Sequence, residues 1–409
     1  MKRISVDARV NWKEKVRDEG MLWAVTEEGP FWSEAMAQPK AYQLTENEAE
    51  QLQTAGNECH AMCLEAIEWL FSKPSHVQIE WRERFGITSD MWAKIKHSFF
   101  VNEEWEFYGR FDFLQSAHGF KLLEYNADTP TTLIESSVCQ WNWFAEQQEL
   151  GKMPAGANQF NTIWEAMVQR WKDMRAENGL TNPSVCFVSM DEVDDVATNA
   201  LVAEAAKEAG YSVKMFPISE VGFDTSTHMF LDVDQQPLHA CFKLYPWEWM
   251  MSDSYSKYLP TSLTRWIEPS WKMLLSNKML LPLLWHIFKR EPRAKWLVPS
   301  FHHEEFISVP KVDRCGKWVE KPILSREGSD VSIFTIDAAG EVTYQLQHEG
   351  NYSEHPKIYQ QFVESLKFDG CTPMLGVWMV GPEAVGMGIR EDDTLITRNN
   401  SRFIPHFWV

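Results

Sequence analysis

Two short segments of the chain have the residue types of a metal-binding hairpin. In the segment YGRFDFL, Arg110 and Asp112 lie on one face of a predicted strand. In the segment FKLLEYN, Glu124 and Asn126 share one face of the next predicted strand. With a turn near His118, the hairpin register would place Asp112 opposite Glu124 and Arg110 opposite Asn126.

Two carboxylates that face each other across a hairpin repel unless a cation lies between them. In one interpretation Arg110 alone neutralises Asp112 and Glu124, and the cluster is structural. In the other a divalent cation lies between them, and ligands that are all oxygen atoms suit Mg²⁺. The spacing alone leaves both interpretations open.

Two lysines and a polar loop could bind phosphate groups. Lys278 lies in the apolar segment SNKMLLPLLW, and Lys321 lies in the predicted strand WVEKPI. For each, an ordinary solvated lysine is the alternative. The polar segment 325–330 contains Gly328 and could offer backbone N–H groups to phosphate oxygens, or could be an ordinary turn. The sequence contains neither a GxxxxGK[ST] motif nor a GxGxxG motif.

Three other polar clusters are interpreted as structural. Cys59, His60 and Cys63 lie on the apolar stripe of a predicted helix, which indicates core packing rather than a metal site. The acidic cluster at 191–195 indicates the N-terminus of a helix. The segment 302–305, with two histidines and two glutamates, is predicted to be a solvated loop.

These side chains must be held by ordered elements. An amphipathic helix is predicted over 45–71, with Thr45 and Glu48 as its capping box. A helix rich in Trp and Phe is predicted after the hairpin and ends at about Leu150. Two more helices are predicted over 160–177 and over 265–290. A β-α-β unit is predicted between strands at 184–190 and 211–216. Seven strands are predicted after residue 317, in the segments KWVEKPIL, DVSIFTI, EVTYQL, KIYQQFV, LGVWMVG, AVGMGIR and DTLITR. The fold class is therefore α/β or α+β with an antiparallel portion.

Composition excludes several classes of protein. With 39 Lys and Arg against 58 Asp and Glu, the net charge of −19 disfavours a general binder of nucleic acids or anionic membranes. A length of 409 residues suits one large domain or two to three packed domains. The longest apolar stretch, 279–288, is too short to span a bilayer. The N-terminal segment has no apolar core typical of a secretory signal, and the seven scattered cysteines suggest reduced thiols, so we expect a cytoplasmic protein.

Eight segments together carry a resemblance to a known family. They are YGRFDF, LLEYNADTPT, FKLYPWEWM, RWIEPSWK, SNKMLLPLLW, KPILSREGSDVSIF, YQQF and GIREDDTLITRNNSRFIPH. In this order they resemble the synthetase domain of the glutathionylspermidine synthetase family. The chain is most similar to stand-alone bacterial members of that family, which are described as acid–amine ligases.

This resemblance implies a fold and a reaction. It implies an ATP-grasp fold over residues 1–409, with a Rossmann-like pre-ATP-grasp segment at about 184–300 and a mainly strand portion at 317–409. It also implies an ATP- and Mg²⁺-dependent ligase that joins a carboxylate to an amine through an acyl phosphate. The amidase domain of the bifunctional enzymes is not expected here. The acid, a small molecule or a glutathione-like peptide, and the amine, a polyamine or another amine, stay open.

The resemblance also implies roles for individual residues. Arg110 would stabilise the transition state, and Arg390 would face the phosphate and acyl groups. Two Mg²⁺ ions would be held by Asp112, Glu124 and Asn126, with Glu124 bridging them. Contacts to ATP would come from Arg110, Phe111, Asp112, Lys278, Lys321, Gly328, Gln360 and Leu395.

Two rival functions remain at this point. An ATP-binding regulatory protein without ligase activity would keep the nucleotide site, although it would not need Arg110. A glycosidase would also use paired carboxylates and many tryptophans. The sequence contains 20 tryptophans.

Overall fold

The computed structural model describes residues 1–101, 105–179, 181, 183–310, 312–326, 328–396, 398 and 401–409. Within these residues eleven α-helices are formed. They are α1 (Trp12–Asp18), α2 (Glu46–Ser72), α3 (Ser75–Arg84), α4 (Ser89–Val101), α5 (Gln140–Glu149), α6 (Ile163–Glu177), α7 (Val193–Glu208), α8 (Trp247–Met250), α9 (Met273–Ser276), α10 (Leu280–Phe288) and α11 (His303–Ser308).

The strands of the described residues form six sheets. In chain order they are β1 (Lys2–Ser5), β2 (Val25–Thr26), β3 (Gly29–Pro30), β4 (Lys40–Leu44), β5 (Tyr108–Ser116), β6 (Gly119–Asn126), β7 (Ser184–Ser189), β8 (Ser212–Pro217), β9 (Gly222–Asp224), β10 (Met229–Leu231), β11 (Ala240–Leu244), β12 (Arg265–Ile267), β13 (Ser300–His302), β14 (Gly316–Pro322), β15 (Ser332–Ile336), β16 (Val342–Gln347), β17 (Lys357–Gln361), β18 (Thr372–Val380), β19 (Glu383–Asp392), β20 (Arg402–Phe403) and β21 (His406–Trp408).

Two antiparallel five-stranded sheets hold the predicted site residues. The first has the order β20-β19-β18-β5-β6, and the second has the order β13-β17-β14-β15-β16. Helix α2 packs its apolar face on the first sheet. Gly56 permits this close approach, because a Cβ atom there would lie 2.8 Å from the Cβ of Ala384.

The third large sheet is parallel. Its order is β12-β11-β7-β8, and every neighbouring pair runs in the same direction. Strand β7, helix α7 and strand β8 form the β-α-β unit expected from the sequence. The acidic cluster lies at the N-terminus of α7, with Asp194 and Asp195 in the first turn. The carboxyl ends of parallel strands lie at one edge of the sheet, where α/β proteins usually place functional groups.

Several sequence predictions of local structure are confirmed. Helix α2 starts after the Thr45 cap with a complete capping box. Helix α5 follows a π-helical turn, Glu135–Cys139, and helix α6 lies within the predicted range.

Three predictions of local structure were wrong. The range 265–290 is not one helix, because Arg265–Ile267 pairs with β11 and the rest is divided between short helices. The segment at 302–305 is not a solvated loop. His302 is buried, and its ring accepts a hydrogen bond from the Glu305 amide at the start of α11. Residues 393–396 of the predicted strand DTLITR form bends, and residue 397 lies outside the described residues.

The cysteines are all unpaired, and all seven lie in the described part of the chain. Cys59 and Cys63 pack in the core with His60 nearby, as predicted. Among the cysteines, Cys315 is exposed and Cys186 is partly exposed, whereas the other five are buried. Among the described residues, none of the helices has the length and apolar character needed to cross a membrane.

Candidate active site

The predicted site residues surround one cavity of about 230 Å³. Ten of the eleven line it, and they come from β5, β6, β14, β17, β19, the segments after β14 and β19, and the connection between α9 and α10. These ten are Arg110, Asp112, Glu124, Asn126, Lys278, Lys321, Gly328, Gln360, Arg390 and Leu395. The exception is Phe111, whose side chain lies in the core and stacks on Tyr125 with ring centroids 3.7 Å apart.

The hairpin has the register expected from the sequence. Arg110 pairs with Asn126, and Asp112 pairs with Glu124. Alternation along the strands places these four side chains on the cavity face. The register shifts between Asp112 and Phe113, so the pairs of Arg110 with Asn126 and of Asp112 with Glu124 lie before the irregularity.

Arg110 forms a two-point ion pair inside this face. Its Nε donates to Asp112 Oδ1 at 2.7 Å, and its Nη2 donates to Asp112 Oδ2 at 2.9 Å. Its Nη1 donates to the carbonyl oxygen of Thr131 at 2.5 Å. Burial opposes the charge, but the Asp112 carboxylate outweighs burial and raises the pKa of Arg110. The guanidinium is therefore permanently charged and fixed in direction.

Glu124 is surrounded by cationic groups. Its carboxylate lies 3.1 Å from Lys278 Nζ, and its side chain is 28% exposed. Burial opposes ionisation, yet Lys278 and Lys321 outweigh it and lower the pKa of Glu124 to about 2. The carboxylate is therefore ionised at neutral pH and can act as a metal ligand.

The amide of Asn126 lies between the two carboxylates. Its Nδ2 donates to Asp112 Oδ2 and to Glu124 Oε1, each at 3.3 Å. Two carboxylates and one amide oxygen are hard donors that suit Mg²⁺. Rotation of the Asn126 amide by half a turn would present its oxygen in place of the NH₂ group. These residues therefore fit the expected Mg²⁺ site.

Lys321 of β14 is buried between its own sheet and the sheet that contains β6. Its Nζ donates to Gln360 Oε1 at 2.8 Å and to the carbonyl oxygen of Leu123 at 3.1 Å. Burial lowers the pKa of Lys321 to about 8, although Glu124 acts in the opposite direction. A lysine of this kind can bind a phosphate oxygen and is sensitive to pH in the alkaline range.

Arg390 has a different environment. In the described residues no hydrogen bond or ion pair engages its guanidinium. Burial and the neighbouring charge of Arg110 lower its pKa. Two guanidinium groups on one cavity wall repel each other, and an anion placed between them would relieve that repulsion.

Ser325, Arg326 and Gly328, which follow β14, line part of the cavity. Lys278 Nζ donates to the carbonyl oxygen of Ser325 at 2.9 Å. Arg326 Nη2 donates to Thr129 Oγ1 at 3.0 Å and to Glu248 Oε1 at 3.1 Å. Gly328 has φ of 71°, in the left-handed region that favours glycine.

One part of the remaining lining is apolar. Side chains from β6, β14, β15 and the segments after β17 and β19 form a wall that would accept a flat aromatic ring. They are Leu123, Val319, Ile333, Phe362 and Ile396. The cavity thus combines an apolar part with a strongly charged part.

Sequence reasoning missed Arg326, Asp128, Thr129 and Thr131, which also line the cavity. The threonines and Asp128 follow Asn126 within the segment LLEYNADTPT. Their closeness in the chain to Glu124 and Asn126 could have indicated that they belong to the site. Arg326 could have been noticed as the cation of the polar loop. Among the described residues, no group of three or more His, Cys, Asp or Glu side chains is placed to hold a metal ion by those side chains alone.

Comparison with known proteins identifies relatives along nearly the whole chain. Residues 3–409 match a family model described as glutathionylspermidine synthase preATP-grasp. A Haemophilus influenzae protein named "Putative acid--amine ligase" is 34% identical over 380 residues, which cover 93% of this chain and 91% of that protein. Trypanothione synthetase of Crithidia fasciculata is 28% identical over 373 residues, which cover 85% of this chain and 53% of that protein. The chain therefore spans about half the length of trypanothione synthetase.

A similar fold is found among solved structures. A glutathione synthetase-like effector from Globodera pallida superposes with a TM-score of 0.56 at 10% sequence identity, over 98% of this chain and 96% of that chain. At this identity the likeness concerns the fold alone. The mixed α/β fold of ATP-grasp type expected from the sequence is confirmed.

Proposed function

Since this chain belongs to the glutathionylspermidine synthase family, we propose that it is an ATP- and Mg²⁺-dependent ligase that joins a carboxylic acid to an amine. The proposal rests on one observation above all. Ten residues assigned to the site from the sequence, separated by up to 285 positions, line the same cavity. A structural cluster of Arg110 with two carboxylates would not need the convergence of Lys278, Lys321 and Arg390 on the same space.

The proposed binding roles follow the charges of the cavity. The phosphates of ATP would lie against Lys278, Lys321 and the backbone at Gly328, and the adenine would lie against the apolar wall beside Gln360 and Leu395. A backbone group of Phe111 could contribute, because its side chain is committed to the core. Asp112, Glu124 and Asn126 would hold Mg²⁺, proposed as two ions, which supplies charge neutralisation at the phosphates.

In the proposed reaction the carboxylate oxygen of the acid attacks the γ-phosphorus of ATP. The bond to the bridging oxygen breaks, and ADP leaves with its electron pair. The amine nitrogen then attacks the acyl carbon of the acyl phosphate, phosphate leaves, and the nitrogen loses a proton. Arg110 and Arg390 would stabilise the negative charge that develops in both steps.

We also propose the organisation of the chain, the class of its substrates and its location. Residues 184–300 would be the Rossmann-like segment, and residues 317–409 would be the mainly strand part of the ATP-grasp unit. The acid is proposed to be a small molecule or a glutathione-like peptide, and the amine a polyamine or another cationic amine, which suits the net charge of −19. A cytoplasmic location is proposed because all seven cysteines are unpaired.

The test is a screen of peptides and polyamines for ADP release above background, with mass spectrometry of the products. A product with the mass of acid plus amine minus water is expected for at least one pair. Arg110→Ala serves as the catalytic control and should lower kcat by on the order of 10²–10³. ADP release without any coupled product would favour the alternative, an ATP-binding regulatory protein with ATPase activity. Absence of both nucleotide binding and ADP release would overturn the proposal.

A further inference from the structure

Buried charged side chains bind the hairpin that carries Arg110 and Asn126 at its open end, which is the end away from the turn. The turn at 117–118 closes the other end of β5 and β6. At the open end β6 stops at Asn126, whereas β5 begins at Tyr108, two residues before Arg110. Residues two apart in a strand direct their backbone groups to the same edge. The N–H and C=O of Tyr108 therefore point past the end of β6 and need other partners.

Glu268 and Lys272 supply those partners. The carboxylate of Glu268 accepts hydrogen bonds from the amides of Phe107 at 3.1 Å and Tyr108 at 2.9 Å. Lys272 Nζ donates to the carbonyl oxygen of Tyr108 at 2.6 Å and to Glu268 Oε2 at 2.7 Å. Both side chains are 0% exposed. Together they extend β5 as a neighbouring strand would, with two side chains in place of a backbone.

A second buried ion pair holds the segment after β6. Asp128 lies two residues beyond Asn126, and its Oδ1 accepts from Lys243 Nζ at 2.5 Å. Its Oδ2 accepts from the amide of Trp247 at 2.9 Å. The indole Nε1 of Trp247 donates to the carbonyl oxygen of Glu268 at 3.1 Å, so the two ion pairs are linked.

Both ion pairs include a residue from the same edge of the parallel sheet. Lys243 lies near the carboxyl end of β11, and Glu268 directly follows β12, its neighbour in the sheet. Neither Glu268, Lys272 nor Lys243 is among the described residues that line the cavity. Their effect on a ligand in the cavity would therefore pass through the hairpin.

We propose that the ion pairs Glu268–Lys272 and Asp128–Lys243 position Arg110 opposite Asn126 by fixing the open end of the hairpin to the parallel sheet. Glu268, Lys272 and Lys243 are thus positioning residues for the proposed ligase reaction, and the inference rests on that proposed function. A buried ion pair is weak evidence for net stability, because removal of the charges from water costs about as much as their attraction returns. A role in positioning Arg110 explains why these four charged side chains are buried at the open end of the hairpin.

The main test replaces the pair by neutral side chains of similar shape, in the variant Glu268→Gln/Lys272→Met. Removal of both charges leaves neither Glu268 nor Lys272 as an unpaired buried ion. The Glu106 carboxylate, 3.3 Å from Lys272 Nζ, loses its cationic neighbour in this variant, so Glu106→Gln is added where the double variant is unstable. ADP release from MgATP, with glutathione and spermidine as the probe acid and amine, should show kcat reduced by about 10- to 100-fold, since small displacements of catalytic groups have effects of this size. The KM for ATP should change by less than about threefold, since Lys278, Lys321 and Gln360, which would contact ATP, lie outside the hairpin.

The matched control is another buried ion pair. Arg9 and Glu34 are each 3% exposed and 2.9 Å apart, and they lie outside the cavity lining. The variant Arg9→Met/Glu34→Gln should keep the wild-type kcat. Equal losses of kcat in both variants would show a general effect of lost stability and would overturn the proposal, as would a folded Glu268→Gln/Lys272→Met protein with wild-type kcat. If that variant does not fold, Glu268→Gln alone, which keeps an acceptor for the two amides, must show the same direction of change.

A second measurement separates this inference from the proposed function. Amide hydrogen exchange at residues 107–112 without any ligand should be faster in Glu268→Gln/Lys272→Met than in wild type, and unchanged in the control variant. If wild type releases no ADP with any substrate, the proposed function fails while the exchange data still decide the positioning. Unchanged exchange at 107–112 in the folded variant would overturn it.

Discussion

Gly376 leaves the space that the side chain of Arg110 fills. A Cβ atom on Gly376 would lie 2.8 Å from Arg110 Cδ and 3.2 Å from Arg110 Nε. Gly376 pairs with Asp112 across β18 and β5, so the absence of a side chain lets Arg110 lie over the sheet and reach Asp112.

Gly376→Ala should therefore displace Arg110 while the protein stays folded. We expect kcat for ADP release to fall by about 10- to 100-fold, and overpacking to lower the free energy of unfolding by about 1–3 kcal/mol. Steady-state kinetics and thermal unfolding measure the two effects. Gly222→Ala, a strand glycine with only an ordinary contact at 3.6 Å, is the control. Wild-type kcat in Gly376→Ala would show that the position of Arg110 does not limit turnover.

Glu124→Gln should remove Mg²⁺-dependent turnover. The carboxylate has a pKa of about 2, so the wild-type ligand is charged at every working pH, whereas the amide is neutral. We expect a loss in kcat on the order of 10²–10³-fold, with weaker binding of Mg²⁺ in calorimetric titrations that include a non-hydrolysable ATP analogue. Glu50→Gln, at an exposed carboxylate of α2, should behave as wild type. Normal Mg²⁺ dependence in Glu124→Gln would remove the hairpin from the site.

Affinity for the nucleotide should fall as the pH rises through 8. Lys321 has a pKa of about 8, lowered mainly by burial, so its positive charge is complete below that pH and lost above it. Between pH 8 and pH 9 we expect the Kd of a Mg²⁺-bound ATP analogue to rise about fivefold, because the free protein loses the proton that a bound phosphate requires. Lys321→Arg keeps its charge and should give a flat profile over this interval. The same alkaline rise in Lys321→Arg would assign it to another group.

Nucleotide should slow amide exchange in the loop after β14. Arg326 ties this loop to Thr129 and Glu248, and Lys278 ties it to the carbonyl oxygen of Ser325. Arg326→Ala should speed exchange at Ser325, Arg326 and Gly328 in the free protein, whereas the exposed control Arg290→Ala should not. A Mg²⁺-bound ATP analogue should slow exchange in wild type as N–H groups gain phosphate partners. Equal exchange with and without saturating analogue would mean that this loop is an ordinary surface turn.

The parts of the fold that could be predicted are those with local causes. The period-two alternation of β5 and β6 determined the pairing of Asp112 with Glu124, because one turn sets the register of a hairpin. The capping box determined the start of α2 in the same local way. The Mg²⁺ assignment needed more than local pattern, because spacing alone left a structural cluster open and the family resemblance decided the interpretation.

The parts that could not be predicted depend on distant partners. Arg265–Ile267 is a strand because it completes a parallel sheet with Ala240–Phe242, which no periodicity in its own segment indicates. Asp128 and Lys243 are 115 positions apart, and Arg326 reaches Thr129 across 197 positions. Such contacts come from the arrangement of the sheets, so the role of Asp128 and of Arg326 in the cavity wall appeared only with the structure.

The uneven exposure of the cysteines offers a practical route to follow this protein in solution. Cys315 is exposed and directly precedes β14, the strand that carries Lys321. Cys186 is only partly exposed, and burial raises the pKa of its thiol to about 11, which keeps it protonated and slow to react at neutral pH. A maleimide fluorophore should therefore attach to the unmodified chain predominantly at one position. Its emission would report on the strand of Lys321 during nucleotide addition without the removal of any native cysteine.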